Sequence, residues 1–292
     1  MIGLTLGLSS AICFSSAAIC FKIGQRTQVK DNGLWLSIAI NAIILGAIVA
    51  FRTWPSWNLE GFVALVIGGV VGTVGGRSSN LKAVRFIGPS RANAFLTANP
   101  VVAAIGGWFV LDETLGFQEF IGGALVILGL LWLILSRSAP AADTAAVPTK
   151  GYFWAVAAAV FFGSAFVFRK WGLERFPGSV IGAFIGAAAA FLVVTMVDAR
   201  GRKLVTTVKA NFRPIAWWYM AAGIFTTLAL LSQFNAFRYL PAWVVGILQG
   251  TQGMFTLLLG WLFLRQEERI DRTLIGSIVL VMAGVVLIGL EI

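Results

Sequence analysis

Most of the polar side chains that could do chemistry in this chain lie inside long apolar runs, and their spacing follows helix faces. Thr73, Arg77 and Asn80 stand at i, i+4 and i+7, which places them on one helical stripe. Asn93, Thr97 and Pro100 repeat that spacing, with Asn99 beside them. In the second half, Thr226, Leu230 and Gln233 hold the places of Thr73, Arg77 and Asn80. Gln249, Gln252 and Thr256 form a further stripe next to Thr251, while Ser16 and Ser164 sit mid-run near Phe14 and Phe162. Amides and hydroxyls grouped round a cavity bind the ammonium and carboxylate of a small solute, and rings receive its apolar part. A blander role competes. Ser and Thr in membrane helices often bond to a backbone carbonyl or a neighbouring helix, at about 1 kcal/mol. That is the simpler expectation for each hydroxyl, whereas the larger amides Asn80, Gln233, Gln249 and Gln252 are expected to line a cavity.

Arg77 is the most interior charge of any apolar run by sequence position, and no acidic residue shares the membrane with it. Burying it unpaired costs at least about 2.5 kcal/mol. Either it snorkels to the interface near Lys82 and Arg85, or it lines a water-filled cavity and meets a solute carboxylate.

Several chemistries lack their groups. All 12 Asp and Glu residues fall at span ends or in loops, so no embedded carboxylate is available to exchange protons. There is no histidine, and the two cysteines, Cys13 and Cys20, lie in the first apolar run. No metal site or cofactor is expected from that donor set, and an enzyme would lack its acid–base and metal groups. The net charge of +10 does not indicate nucleic-acid binding, because the basic residues flank apolar runs and no basic domain gathers them.

The elements that position these residues follow from composition. Of the 292 residues, 59% are hydrophobic and only 12% charged, about half the charge a soluble domain carries. The apolar excess must face lipid, where only helices and closed barrels satisfy the backbone. The apolar runs are continuous over roughly twenty residues, as a helix crossing about 30 Å of hydrocarbon requires. The expected fold is therefore all-α, with about ten spans: residues 2–24, 34–51, 61–84, 91–111, 117–135, 152–171, 179–197, 215–237, 242–264 and 274–290. The first run has no charged segment before it, so no cleavable signal peptide is expected. Gly68-Gly69, Gly75-Gly76 and Gly106-Gly107 are expected at close helix contacts, and Trp54, Trp57, Trp217 and Trp218 at the membrane interfaces. Lys and Arg concentrate in the loops after odd-numbered spans, which places those loops in the cytoplasm and both termini outside.

The two halves repeat. Ala11, Phe14, Ser16, Ala17 and Lys22 match Ala159, Phe162, Ser164, Ala165 and Lys170 at a constant offset. Ala83-Val84-Arg85-Phe86-Ile87 matches Ala236-Phe237-Arg238-Tyr239-Leu240, with Pro89 and Pro241 following. Gly107-Trp108 matches Gly260-Trp261, and Glu113 matches Glu267. With an odd number of spans per half, the second copy must run upside down, an arrangement strongly associated with transport. Leu111-Asp112-Glu113-Thr114 followed by the run Gly122 to Gly129, and Gln266-Glu267-Glu268-Arg269 followed by Gly276 and Ala283 to Leu287, carry a resemblance. The pattern resembles the drug/metabolite transporter superfamily, in its ten-span branch of two EamA domains. That resemblance implies a first repeat over 1–137, a linker at 138–149 and a second repeat over 150–292. The abundance of Phe and Trp is similar to that of the branch's aromatic amino-acid exporters. The superfamily's small multidrug members use a glutamate in the first span, where this chain has Ser15, Ser16 and the cysteines. Gln252 near the place of Pro100 also makes the halves chemically unequal.

The expectation is a facilitative, alternating-access carrier in a bacterial inner membrane for neutral or zwitterionic metabolites, foremost amino acids including aromatic ones. Alternatives are a nucleotide-like or drug-like solute, or lipid flipping. The expected partners are a small-molecule solute and the bilayer, with oligomeric state left open. The expected solute-binding residues are Phe14, Ser16, Thr73, Arg77, Asn80, Thr97, Asn99, Phe162, Ser164, Gln233, Gln249, Thr251 and Gln252.

Overall fold

The structure is a computed structural model that describes residues 1–27, 33–87, 95–96, 98–114, 116–137, 149–199, 217–263 and 272–291. Residues 138–148 of the linker, Asn93, Thr97 and the Gln266–Arg269 motif lie outside the described residues. The long apolar runs become helices, because a backbone in lipid must satisfy its own N–H and C=O groups. They are α1 (Ile2–Thr27), α2 (Gly33–Val49), α3 (Leu59–Val70), a π-helical segment (Val71–Gly76) and α4 (Arg77–Ile87). Then come α5 (Asn99–Leu111), α6 (Phe117–Arg137), α7 (Thr149–Arg175) and α8 (Ser179–Asp198). The last four are α9 (Trp217–Ala236), α10 (Ala242–Gly250), α11 (Gln252–Phe263) and α12 (Arg272–Glu291). Since α3 and α4 continue one another through the π segment, and α10 and α11 meet at Thr251, the described residues form ten rods. Among the described residues, five stretches are long and apolar enough to cross a membrane: Ile2–Gly24, Leu59–Asn80, Thr149–Arg175, Ser179–Asp198 and Ala242–Gly260.

Local chemistry sets the ends of several rods. The Asn58 side chain accepts from Gly61 N at 2.8 Å and starts α3. Gly178, with φ +152°, makes the tight turn between α7 and α8 in a conformation other residues rarely adopt. After α5, Asp112 adopts the left-handed conformation at φ 53°, and Glu113 folds back so that its N–H meets Gly107 O at 3.2 Å. The Glu113 carboxylate then accepts from Ala242 N, at 2.8 and 3.1 Å from its two oxygens. An acid from the first half thereby caps the exposed N–H groups of α10 in the second half.

Helix pairing reveals the symmetry. The helix α1 packs on α9, and α3–α4 packs on α7, while α2 meets α8, α5 meets α10 and α6 meets α12. Contacts of this form are isologous, each half offering the same surfaces to the other. The direction of the axis follows from α6 and α12. Gly122 faces Gly284 and Ile288, whereas Gly129 faces Val281 and Ser277, so these equivalent helices run antiparallel. The same holds for α2 and α8, where the Trp35 indole donates to Thr195 Oγ1 at 3.0 Å and Gly46 faces Phe184. An axis along the membrane normal would make equivalent helices parallel. The two-fold axis therefore lies in the membrane plane, and the repeats are inverted.

Between helices the driving force is close packing, since lipid tails are as apolar as the side chains. Gly69 lies directly against Gly186, and Gly106 against Val167, as expected for the glycine pairs. A central cluster gathers Phe166, Phe237, Trp243, Leu248 and Met254, all buried. Large apolar side chains such as Phe109, Phe153 and Val279 are exposed on the outer faces, where lipid would surround them.

Candidate solute site

Two helix breaks occur at equivalent places. Thr251 interrupts α10–α11, and Ala98 is the N-cap residue of α5 immediately before Asn99 and Pro100. The register that pairs Ala83 with Ala236 also pairs Ala98 with Thr251. Pro100 lacks an N–H and belongs at a helix start. On the other side, Gly250 and Gly253 flank the break, and Thr251 Oγ1 bonds back to Leu248 O at 2.6 Å. Interrupted helices near the middle of a membrane protein free backbone groups for a ligand.

Beside these breaks, polar side chains join into a chain. Arg169 on α7 is 8% exposed and donates from Nη1 to Gln233 Oε1 on α9 at 2.8 Å. The Gln233 amide donates to Gln249 Oε1 at 3.2 Å, and that oxygen also accepts from Ser10 on α1 at 3.1 Å. Gln249 in turn approaches Gln252 Oε1 at 3.4 Å, across the break. Ser10 Oγ also lies 2.9 Å from Ala229 O, so its single hydrogen is shared between that carbonyl and Gln249, and Ser15 Oγ lies 2.8 Å from Gln252 O, each contact tying α1 to the second repeat. Gln249 and Gln252 are half-buried, so the chain runs from a buried guanidinium to accessible amides. Its walls come from both repeats.

The first repeat opens a space for Arg169. Gly68 lies against its side-chain stem and Gly72 beneath its guanidinium, where any Cβ would collide with Nη2. The π segment also alters the stripe expected from Thr73, Arg77 and Asn80. Bonds of the i→i+5 type place extra residues in each turn, so i and i+4 no longer stack, and Thr73 loses its α-helical register with Arg77. Such segments are frequent at functional sites. Arg77 follows immediately and is half-buried. Phe162 sits half-buried over Gly76.

The other expected site residues divide clearly. Asn80 is half-buried and Asn99 buried, and each has a buried Oδ1 with no hydrogen-bond partner. Asn99 packs by its carbonyl on Gly163, one residue from Ser164. Ser16 donates to Ile12 O on its own helix, as Thr226 does to Ala222 O and Thr256 to Gln252 O. Thr251 is fully buried, while Phe14, Thr73 and Ser164 are half-buried. An open apolar depression lined by Ile43, Ile44, Ala47, Ile48, Phe51 and Arg52 lies at the end of α2 and contains none of these groups.

The expectation that Arg77 is the most interior charge is corrected by Arg169, which is more deeply buried. Sequence position put Arg169 at a span end, because the apolar run stops near Trp171. The helix continues to Arg175 and carries Arg169 inward. A signal was present. Phe162, Ala165, Phe166, Arg169 and Gly172 fall on one helical stripe, and the small residues in it mark a packed face. Lys170, next along, instead reaches Phe237 O at 2.6 Å, a cation on the carbonyl end of α9.

The family pattern of EamA-like transporters matches residues 1–135 and again 149–290. The chain belongs to the EamA-like transporter family. Among curated proteins, none matches the chain. A solved crystal structure described only as a protein has the same fold, with a TM-score of 0.74 at 17% identity over 99% of this chain and 97% of the other. Membership makes this EamA-like protein a multi-pass membrane transporter of small solutes within the drug/metabolite transporter superfamily, a class of carriers and not of enzymes.

Proposed function

We propose that this EamA-like transporter is a facilitative carrier for amino acids and similar carboxylate-bearing metabolites, aromatic ones included, working by alternating access without proton coupling. The observation that supports it is the run from Arg169 through Gln233 and Gln249 to Gln252, at the junction of the inverted repeats and next to two helix breaks. Amides donate and accept, so they suit both ends of a zwitterion. No carboxylate joins the run among the described residues, and the sequence places none inside an apolar run. A carrier that exchanges protons with its solute needs such an acid. Rocking of one repeat against the other about the in-plane axis would expose the run to each side in turn. The concentration of Lys and Arg in the loops after odd-numbered spans supports both termini lying on the periplasmic side of a bacterial inner membrane.

Purified full-length protein in liposomes preloaded with unlabelled phenylalanine is expected to take up labelled phenylalanine, at a rate unchanged when a proton gradient is imposed or collapsed. Uptake that tracks the gradient would refute the uncoupled mechanism, and no uptake of any amino acid would refute the substrate class.

A further inference from the structure

The two helix breaks are chemically unequal. At the second, Thr251 is fully buried, and its hydroxyl and N–H both close on Leu248 O, at 2.6 and 3.2 Å. At the first, the N–H groups of Val101 and Val102 close on Ala98 O, at 3.1 and 3.4 Å. Asn99, the opening residue of α5, is only 8% exposed, and its buried Oδ1 has no hydrogen-bond partner among the described residues. A buried carbonyl oxygen without a donor is destabilising and rare, so one that persists calls for an explanation.

Packing brings Asn99 beside the polar run. Glu113, just after α5, binds Ala242 at the start of α10, and Pro100 lies against Gly246. The two helices therefore run antiparallel, and their broken ends, Ala98 and Thr251, fall at one level. Gly246 stands three residues before Gln249, about 4.5 Å of helix rise. On its other flank, Asn99 O packs on Gly163 of α7, the helix that carries Arg169. Asn99 thus sits between the helix of Gln249 and the helix of Arg169.

The run and this oxygen are complementary in kind. The Arg169 guanidinium and the amide N–H groups of Gln233 and Gln249 donate, which suits a carboxylate. The Asn99 oxygen accepts, and the partner it lacks is an N–H donor. An ammonium carries three donors and no acceptor. A neutral oxygen cannot balance a full positive charge, so the ammonium must bring its own counter-charge. A zwitterion does so, with its carboxylate toward the donors of the run and its ammonium toward Asn99.

We infer that Asn99 reads the amino group of the solute, so that the site selects amino acids over acids of the same shape that lack the amino group. The inference rests on the amino-acid reading above and narrows it, from carboxylate-bearing metabolites in general to those with an ammonium beside the carboxylate.

Thermal unfolding of the purified full-length protein measures this, with L-phenylalanine and 3-phenylpropionate as probes at ionic strength fixed by sodium chloride. The wild-type protein is expected to bind L-phenylalanine about tenfold or more tightly than 3-phenylpropionate, the effect of one charge-assisted hydrogen bond. Asn99→Leu keeps the size and removes the acceptor. It should bring the two affinities within about threefold of each other and leave the empty protein's midpoint unchanged or higher, because an unpaired oxygen is gone. Asn99→Asp makes the acceptor charged and should widen the preference severalfold, which serves as the test if Asn99→Leu does not fold. An asparagine with a purely structural role gives another pattern: a lower midpoint for empty Asn99→Leu and an undiminished preference for the amino acid. That pattern overturns the inference, as do equal affinities in the wild type, tighter binding of 3-phenylpropionate, or no wider preference in Asn99→Asp. Phenylalanine counterflow in liposomes keeps the two readings apart. Binding as expected without flux supports the role of Asn99 and refutes the carrier, whereas flux with a preference that Asn99→Leu leaves intact refutes the role of Asn99 alone.

Discussion

Across the in-plane axis, the pair formed by α3–α4 and α7 corresponds to the pair formed by α9 and α1. Matching Ala17 with Ala165 and Lys22 with Lys170 sets Phe21 opposite Arg169, and matching Ala83 with Ala236 sets Leu230 opposite Arg77. In the first pair, Arg169 lies against Gly72 of the π segment, which Arg77 follows directly in the chain. In the second, Phe21 lies 5.9 Å from the Tyr219 ring, and Leu230 packs on the cluster around Phe234 and Leu45. The backbone plan is duplicated while the chemistry is not. An inverted repeat supplies two equivalent helix pairs, and the asymmetry places the arginines in one of them. The contact that bridges them, Arg169 to Gln233, reaches from the charged pair to the apolar one.

Five substitutions test that contrast. Copying the first repeat's residue into the second, Arg169→Phe, should have the largest effect. Loss of a charge-assisted bond worth about 2 kcal/mol predicts roughly 30-fold lower phenylalanine counterflow in liposomes. Next is Gly72→Val, which fills the space beneath the guanidinium. Overpacking of about 1–3 kcal/mol should lower the thermal unfolding midpoint and reduce flux together. Arg77→Met is expected to reduce flux several-fold with normal folding, and unchanged flux would mean that Arg77 merely snorkels. Glu113→Ala removes the cap on α10, a loss of about 1 kcal/mol that should appear in the unfolding midpoint and hardly in the flux of protein that folds. Smallest is Phe21→Leu, at the place equivalent to Arg169, for which flux should stay within about twofold of wild type. A loss there as large as that of Arg169→Phe would erase the distinction between the two pairs.

Much of the plan could be read from residue order. Continuous apolar runs bounded by Lys, Arg and Trp require spanning helices, and the doubled motifs around Glu113 and Glu267 point to two copies. The resemblance to EamA domains agrees with the family to which the chain belongs. Arg169 was less legible, because hydropathy ends a span where charges begin, whereas α7 runs on to Arg175. The stripe of Thr73, Arg77 and Asn80 assumed 3.6 residues per turn, and nothing in Val71–Gly76 announces a π segment beyond its abundance of glycine. Gln233 and Gln249 were singled out as cavity-lining amides. Their bond to each other, and to Ser10 on a helix from the other repeat, was not visible in either stripe.

By itself, the sequence determined the solvent each helix must face, the number of rods, the inverted duplication and the scarcity of acids within the membrane. These follow from composition and periodicity, which act locally on every stretch of chain. Only the tertiary structure decided which polar groups share one interface, which hydroxyls turn back on their own helices, and that Arg169 lies deeper than Arg77. Those outcomes depend on how two copies of a bundle close on each other. A glycine on one helix decides the depth of a side chain on another, and no periodicity within a single helix encodes that partner.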